Sequence, residues 1–289
     1  MPQTEKNRVL PGTLYLVSTP IGNLADLSER ARKVLAEVDF VAAEDTRNSG
    51  LLLSRLGISR PMISYFEHNK RERGEEIAAR LEAGESCALV TDAGTPAISD
   101  PGEDLVALCA ARGIRVSAIP GPVASVTALT LSGLATGRFC FEGFLPPVKA
   151  KRLARLNELA GEKRTLLFHE APHKLNRTLE DLCAVFGGDR KIAICRELTK
   201  LNEEVFRTTL AGAVAHYKEN EPRGEFVLVV AGAPEAEPQK EQTLPLAEQV
   251  LQYEREGLSR KDAIKRVAHE RALPKNEVYQ AMLAKEDLE

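Results

Sequence analysis

The sequence predicts an α/β protein: two consecutive α/β domains with a ligand cleft between them, followed by a small helical unit. Three observations predict it. Short β-branched and apolar runs alternate with amphipathic helical patterns in two successive series, as in sheets covered by helices. Pro120-Gly121-Pro122 interrupts the alternation between the series. A stretch rich in Pro, Glu and Gln, APEAEPQKEQTLP (233–245), then sets off three further helical patterns. At 289 residues the chain is long for one domain and comfortable for two. The expected divisions are a flexible N-terminus (1–11), a first α/β domain (12–120), a second (121–233), a linker (234–245) and a C-terminal helical unit (246–289).

Each element has a local reason. TLYLVS (13–18) is β-branched and aromatic-rich and ends at the turn-forming Thr19-Pro20-Ile21-Gly22-Asn23. Asp26 with Glu29 marks a helix start, after which Leu27, Ala31, Val34, Leu35 and Val38 share one face. Strands are expected at DFVAA (39–43), MISYF (62–66), CALVT (87–91) and IRVSAIP (114–120). The helical segments 74–83 and 103–112 end at Gly84 and Gly113, a normal C-terminal stop. These short buried strands imply a largely parallel sheet. A small-residue helix, VASVTALTLSG, follows Pro122. The second series is FCFEGF (139–144), TLLFHE (165–170), KIAICRE (191–197), EVFRTTL (204–210) and EFVLVVAG (225–232). Its last two members are expected to pair antiparallel, with at most a short helix between them. Beyond the linker, helices are expected from Leu246, from Ser259 and around Pro274, spaced as in a helix-turn-helix.

Composition narrows the class. Hydrophobic residues make up 43% and charged residues 28%, which is ordinary for a soluble globular protein. No apolar run approaches the roughly 18 to 20 residues of a membrane span, and MPQTEKNRVLPG has no signal-peptide core, so a cytoplasmic protein is expected. Five scattered cysteines without a CxxC pair read as reduced thiols. A net charge of −3 argues against nucleic acid bound over the whole surface, not against a local basic face.

Four turn clusters stand at the C-terminal ends of expected strands: STPIGN (18–23), TDAGTPAISDPG (91–102), IPGPVAS (119–125) and HEAPHK (169–174). Ligands of open α/β sheets bind beyond those strand ends, so the four loops are expected to line one cleft. Absences limit the ligand. Neither GxxxxGK[ST] nor GxGxxG occurs, so the common phosphate-binding loops are missing. His169 and His173 alone have metal-ligand spacing, and Pro172 between them argues against a metal site. Main-chain groups around Gly94, Thr95, Pro96, Ile98 and Ser99 suit a neutral or cationic adenosyl compound better than a polyphosphate.

The stretches LYLVSTPIGNLADLSERA, VAAEDTR, LVTDAGTPAISDPG, IPGPVA, FEGFLP and HEAPHK, in this order, resemble the ribosomal RNA small-subunit methyltransferase I family, a branch of the tetrapyrrole-methylase fold. The resemblance covers roughly residues 12 to 233 and extends to the terminal helices. It implies an S-adenosylmethionine-dependent enzyme, usually a homodimer, that methylates the 2′-hydroxyl of a cytidine ribose in the decoding region of 16S rRNA. It also implies donor contacts at Pro20, Gly94, Thr95, Pro96, Ile98, Ser99 and Ser125, closed by Phe144, Ala171, Glu225 and Phe226. Thr95 stands where related enzymes carry an Asp, which points to a backbone or hydroxyl contact rather than a charge.

A ribose hydroxyl is a weak acid and needs a proton acceptor; Glu170, Asp92 and His169 are the candidates, with Glu197 behind them. RNA needs cations against its phosphates. KAKRLAR (149–155) offers Lys149, Lys151 and Arg152, and the C-terminal unit offers Arg260, Lys261, Lys265 and Arg266. Arg47, Arg196 and Lys200 are further candidates. With aromatics at 5% and no Trp, recognition by shape and phosphate contact is favoured over extended stacking. The expected partner is 16S rRNA or the small ribosomal subunit, with no membrane. The alternatives are a methylase of a small tetrapyrrole and a non-catalytic RNA-binding ribosome-assembly factor.

Overall fold

The structure, a computed structural model, describes residues 8–234 and 244–286. It divides into two compact units, residues 1–233 and 234–289. Most of the expected linker, and the first seven residues, lie outside the described residues.

The first unit holds two five-stranded sheets. Strands β1 (Thr13–Val17), β2 (Phe40–Ala43), β3 (Met62–Ser64), β4 (Cys87–Val90) and β5 (Arg115–Ile119) form a parallel sheet in the order β3-β2-β4-β1-β5. Every residue of β2 and β4 is buried, which is why these strands read as unbroken apolar runs. The pleat sends neighbours to opposite faces. Leu14, Phe40, Ala42 and Leu89 pack beneath helices α3 (Lys70–Glu82) and α4 (Glu103–Ala111). Tyr15, Val17, Val41 and Val90 pack beneath α1 (Glu29–Glu37) and beside α2 (Thr46–Arg55).

Helix α1 starts later than Asp26 suggests. Asn23 caps a single 3₁₀ turn, Leu24–Asp26, and Ser28 caps α1 itself by accepting from the Ala31 N–H at 3.1 Å. Two cap residues lie in tandem, and the later one precedes the amphipathic run.

Helix α5 (Ala124–Ser132) leaves the first sheet and covers one face of the second. Strands β6 (Phe139–Phe144), β7 (Thr165–Glu170), β8 (Lys191–Arg196), β9 (Glu204–Thr209) and β10 (Phe226–Val230) are ordered β6-β7-β10-β8-β9. Here one expectation fails. Strand β9 pairs with β8, and β10 inserts between β7 and β8, antiparallel to both. Burial gives the reason. All five residues of β10 are buried, whereas none of β9 is, so the wholly apolar strand takes the centre and the mixed one the edge. Helix α8 (Leu210–Glu219), ten residues long, carries the chain across. The opposite face is covered by α6 (Lys149–Leu159), α7 (Pro172–Phe186) and α8.

Among the described residues the second unit is three helices, α9 (Leu246–Arg255), α10 (Arg260–Glu270) and α11 (Lys275–Glu286), around Val250, Ile264, Val267, Val278 and Met282. Ser259 caps α10, as its position predicts. All five cysteines are free thiols; burial pushes Cys109 and Cys195 up to about 11 and so keeps them protonated. No described helix is long and apolar enough to cross a membrane.

Candidate functional site

A cavity of about 570 Å³ opens at the C-terminal ends of β1, β4, β5 and β7 and is walled on its far side by β8 and β10. All four turn clusters reach it: Ile21 from the first, 92–95 and 98–100 from the second, 123–125 from the third, and 169–173 from the fourth.

The loop after β4 organises this rim. Gly94 and Thr19 exchange backbone hydrogen bonds at 2.8 and 3.1 Å, joining the loops after β1 and β4. Gly94 does so at φ +89°, a conformation a side chain disfavours. The Thr95 hydroxyl donates to the Pro122 carbonyl at 3.1 Å and accepts from the Ser18 hydroxyl at 2.8 Å. One side chain thereby ties three loops together. Thr19 adds a bond to the Thr91 carbonyl at 3.1 Å. Ala97 and Ser99 sit in the left-handed region (φ 68° and 63°), costing roughly 1 kcal/mol or more each. Local strain held by surrounding bonds is a common property of binding loops.

A second contact closes the cavity from the other sheet. The loop after β8 crosses Gly22 so closely that a β-carbon there would lie 3.1 Å from the Leu198 carbonyl and 2.4 Å from Lys200 Cγ. Leu198 from this loop lines the cavity, while Lys200 holds Glu197 and Glu225, each at 2.9 Å.

Among the described residues, five carboxylates line the cavity, Glu44, Asp92, Asp100, Glu170 and Glu225, and no lysine or arginine does. Glu44 accepts from the Thr91 hydroxyl at 2.8 Å and Asp92 from the Asn48 amide at 2.9 Å. Asp100 is pushed up to about 6 by burial, with Glu44 and Asp92 adding repulsion. The His169 ring lies edge-on to Phe141 and Phe144, with centroids 5.1 and 5.5 Å away. Burial pushes its imidazole down, so it is neutral at pH 7. Its Nε2 is buried and has no hydrogen-bond partner among the described residues. Such a wall repels polyphosphates and attracts a cation, and it leaves one ring nitrogen for a ligand's polar group.

Of the expected donor contacts, Gly94, Thr95, Ile98, Ser99, Ser125, Phe144, Ala171, Glu225 and Phe226 line the cavity. Pro20 and Pro96 do not. Thr19 is pinned to Gly94, and the side chain that follows it into the cavity is that of Ile21; Pro96 is buried under its own loop. Asp92 and His169 also line it. Glu170 is occupied structurally. It is 6% exposed, and its oxygens accept from the Ala171 N–H (2.8 Å) and the Thr178 hydroxyl (2.6 Å), anchoring the start of α7. Pro172 does not break a helix here; it is the first residue of α7. The hydrogen bond from the Lys200 ammonium lowers the Glu197 carboxyl from its ordinary value, which suits an ion pair rather than a proton acceptor.

The basic candidates separate. Arg152 is 5% exposed and pairs with Asp181 at 2.7 Å, so it joins α6 to α7 and is withdrawn as an RNA contact. Lys200 is engaged twice, as above, and Arg196 lies 3.2 Å from Glu204. Arg266 pairs with Glu270 at 3.1 Å and stacks over Tyr253. Lys149, Lys151, Arg260, Lys261 and Lys265 are exposed, as is Arg47, which pairs with Asp45 at 2.6 Å. No cluster that could hold a metal ion occurs among the described residues.

Glu44, Cys195, Leu198 and Val227 line the cavity without being expected there, and Asp100 does so from an expected loop without having been singled out. Glu44 follows β2, so the strand-end rule could have found it. Cys195, Leu198 and Val227 depend on β10 lying beside β8, which local pattern does not reveal.

Comparison with known proteins places this geometry. The family of tetrapyrrole (corrin/porphyrin) methylases matches residues 13–214. A ribosomal RNA small subunit methyltransferase I of Synechocystis sp. is 48% identical over 273 residues, 94% of this chain and 98% of that protein. Its counterpart in Haemophilus influenzae is 44% identical over 95% of this chain and 98% of its own. Among solved structures, a uroporphyrin-III C-methyltransferase from Thermus thermophilus superposes with a TM-score of 0.55 at 20% identity, over 77% of this chain and 95% of that one. A cobalt precorrin-4 methyltransferase of cobalamin biosynthesis gives 0.57 at 16% identity, over 76% and 95%. These two share the fold.

Proposed function

Because the chain belongs to the ribosomal RNA small subunit methyltransferase I family, within the tetrapyrrole methylases, we propose that it methylates the 2′-hydroxyl of a cytidine ribose in the decoding region of 16S rRNA, using S-adenosylmethionine. One observation carries the reading: a cavity at the strand ends lined, among the described residues, by five carboxylates and no lysine or arginine, in a sequence without a phosphate-binding loop motif. Its volume lies within the roughly 300 to 1,000 Å³ of small-molecule sites. An acidic wall suits a ligand carrying a sulfonium and an ammonium charge, and the orphaned His169 Nε2 suits a hydrogen bond to its uncharged part.

The residues divide the work. When bound, S-adenosylmethionine supplies an electrophilic methyl carbon. The backbone from Gly94 to Ser99 and Ser125 hold it against the first sheet; Phe144, Ala171 and Phe226 exclude water from the second. Holding reactants in line contributes about 7 kcal/mol or more to such reactions. Asp92 and Asp100 on the cavity wall are the groups that accept the hydroxyl proton, Asp100 being the better placed in basicity near neutral pH. The two sheets act as two α/β domains, 12–120 and 121–233, whose junction is the donor cleft. Arg47, Lys149 and Lys151, with Arg260, Lys261 and Lys265 in a helix-turn-helix-like C-terminal unit, meet the phosphates. The enzyme works as a cytoplasmic homodimer on 16S rRNA or the small subunit.

The test uses small ribosomal subunits from cells lacking the protein, tritiated S-adenosylmethionine and purified enzyme, with the labelled nucleotide mapped by mass spectrometry. Label on a decoding-region cytidine ribose is the expected result. Donor binding without label on any RNA would overturn the reading.

A further inference from the structure

The C-terminal unit carries a second hollow, and its lining is chemically unlike the cavity just described. Between α10 and α11 a concave surface encloses about 580 Å³. Lys261 and Lys265 face it from α10, one turn apart; Lys275 and Asn276 face it from the first turn of α11. Its floor is apolar, formed by Ile264 and by the ring of Tyr279, one turn beyond Lys275. No carboxylate is among the described residues that line it. Lys265 lies 3.6 Å from Asp262, a long and exposed pair, and neither Lys261 nor Lys275 forms an ion pair among the described residues.

Two features of the hollow call for different parts of one ligand. The lysines demand an anion. A bare anion, however, has no use for an aromatic floor, and Tyr279 is 47% exposed although the unit has an apolar core in which a ring could be buried. A cluster of cations around an exposed aromatic face matches a nucleotide: phosphates on the ammonium groups, the base against the ring. Asn276 adds an amide that can both donate and accept at a base edge. A single exposed ring provides for a single base, in keeping with a chain poor in aromatics.

We infer that the α10–α11 hollow binds one unpaired nucleotide of the RNA substrate, its base stacked on Tyr279 and its flanking phosphates on Lys261, Lys265 and Lys275. This rests on the reading of the protein as an rRNA methyltransferase and deepens it. The arrangement assigns no role to Arg266, which is turned to Tyr253 and Glu270 outside the hollow.

The experiment uses the full chain and a fluorescent oligoribonucleotide of the 16S decoding region, with affinity read by anisotropy across a salt series. Donor affinity by calorimetry checks each variant's fold. Tyr279→Ala is expected to weaken RNA binding about tenfold, and Tyr279→Phe to leave it within about twofold. Lys261→Ala/Lys265→Ala/Lys275→Ala removes three cations that meet single-strand phosphates. It is expected to reduce the slope of log affinity against log salt by about 2. Arg266→Ala keeps the wild-type slope. Unchanged affinity and slope in the Tyr279→Ala and triple-lysine variants overturn the inference, as does a loss in Tyr279→Phe equal to that in Tyr279→Ala. Wild-type methyl transfer to small subunits is measured alongside. If it occurs while the variants bind RNA normally, this site alone is wrong; if it is absent, the reading beneath it is wrong too.

Discussion

At the scale of single residues, the cavity turns on side chains whose identity is plain in the sequence and whose role is not. Thr95 is the clearest case. Its place in a cavity-lining loop is legible from Gly94-Thr95-Pro96, but its hydroxyl proton goes to the Pro122 carbonyl, so it braces the loops. Glu170 is legible as a strand-end acid, yet Thr178, eight residues on, occupies its carboxylate. Asp100 reads in the sequence only as part of a turn. Its raised proton affinity comes from burial beside Glu44, 56 positions away in sequence and adjacent only after folding. A carboxyl raised from 3.8 to about 6 opposes folding where it must ionise. Below pH 3.8 it is protonated in both folded and unfolded chains and exerts no such effect; as pH rises from 3.8 to about 6, stability is lost. Asp100→Asn is therefore expected to be more stable than wild type at pH 8, with the gap shrinking toward pH 4, and to transfer methyl groups more slowly. Equal melting curves at both pH values would show that Asp100 carries no such burden.

At the scale of elements, local pattern locates strands and helices well and pairing less well. The run of parallel strands in the first half follows from wholly apolar segments alternating with helices. The second sheet is mixed because β10, apolar along its whole length, goes to the centre and displaces β9 to an edge. Helix α6 gives a sharper case. KAKRLAR reads as one basic run, but a helix of 3.6 residues per turn spreads seven residues around its circumference. Lys149 and Lys151 reach solvent while Arg152 turns inward to Asp181 on α7 and to the carbonyls of Pro146 and Pro147. Arg152→Ala leaves Asp181 buried without its partner and is expected to destabilise the protein by about 3 to 5 kcal/mol. Urea denaturation would measure it. A loss under about 1 kcal/mol with a marked fall in RNA affinity would instead return Arg152 to the RNA-contacting set.

At the scale of the whole molecule, two units carry two hollows of opposite charge. The first unit has a cavity lined by carboxylates, and the second a hollow lined by lysines. A net charge of −3 averages over both and identifies neither. Because the chain divides at residue 233, each unit with its own core, removal of residues 246–289 is expected to leave donor affinity within about twofold of wild type in calorimetry. RNA affinity is expected to fall at least about tenfold, as the removal of several phosphate-binding cations requires. Parallel loss of donor binding would mean that the helical unit supports the cavity rather than the substrate.

The sequence by itself determined the element series, the break at Pro120 to Pro122, the helical C-terminal unit and the four loops at the strand ends. Turn chemistry, capping and apolar periodicity are local properties, written within about a dozen residues. Tertiary structure alone decided that β10 enters the middle of its sheet and that Gly22 lies under the loop after β8. It also decided that Glu44, Asp92 and Asp100 share a wall, and that Arg152 is core while Lys261 and Lys275 flank one hollow. Each of these depends on which distant segments meet and on how much water their meeting removes.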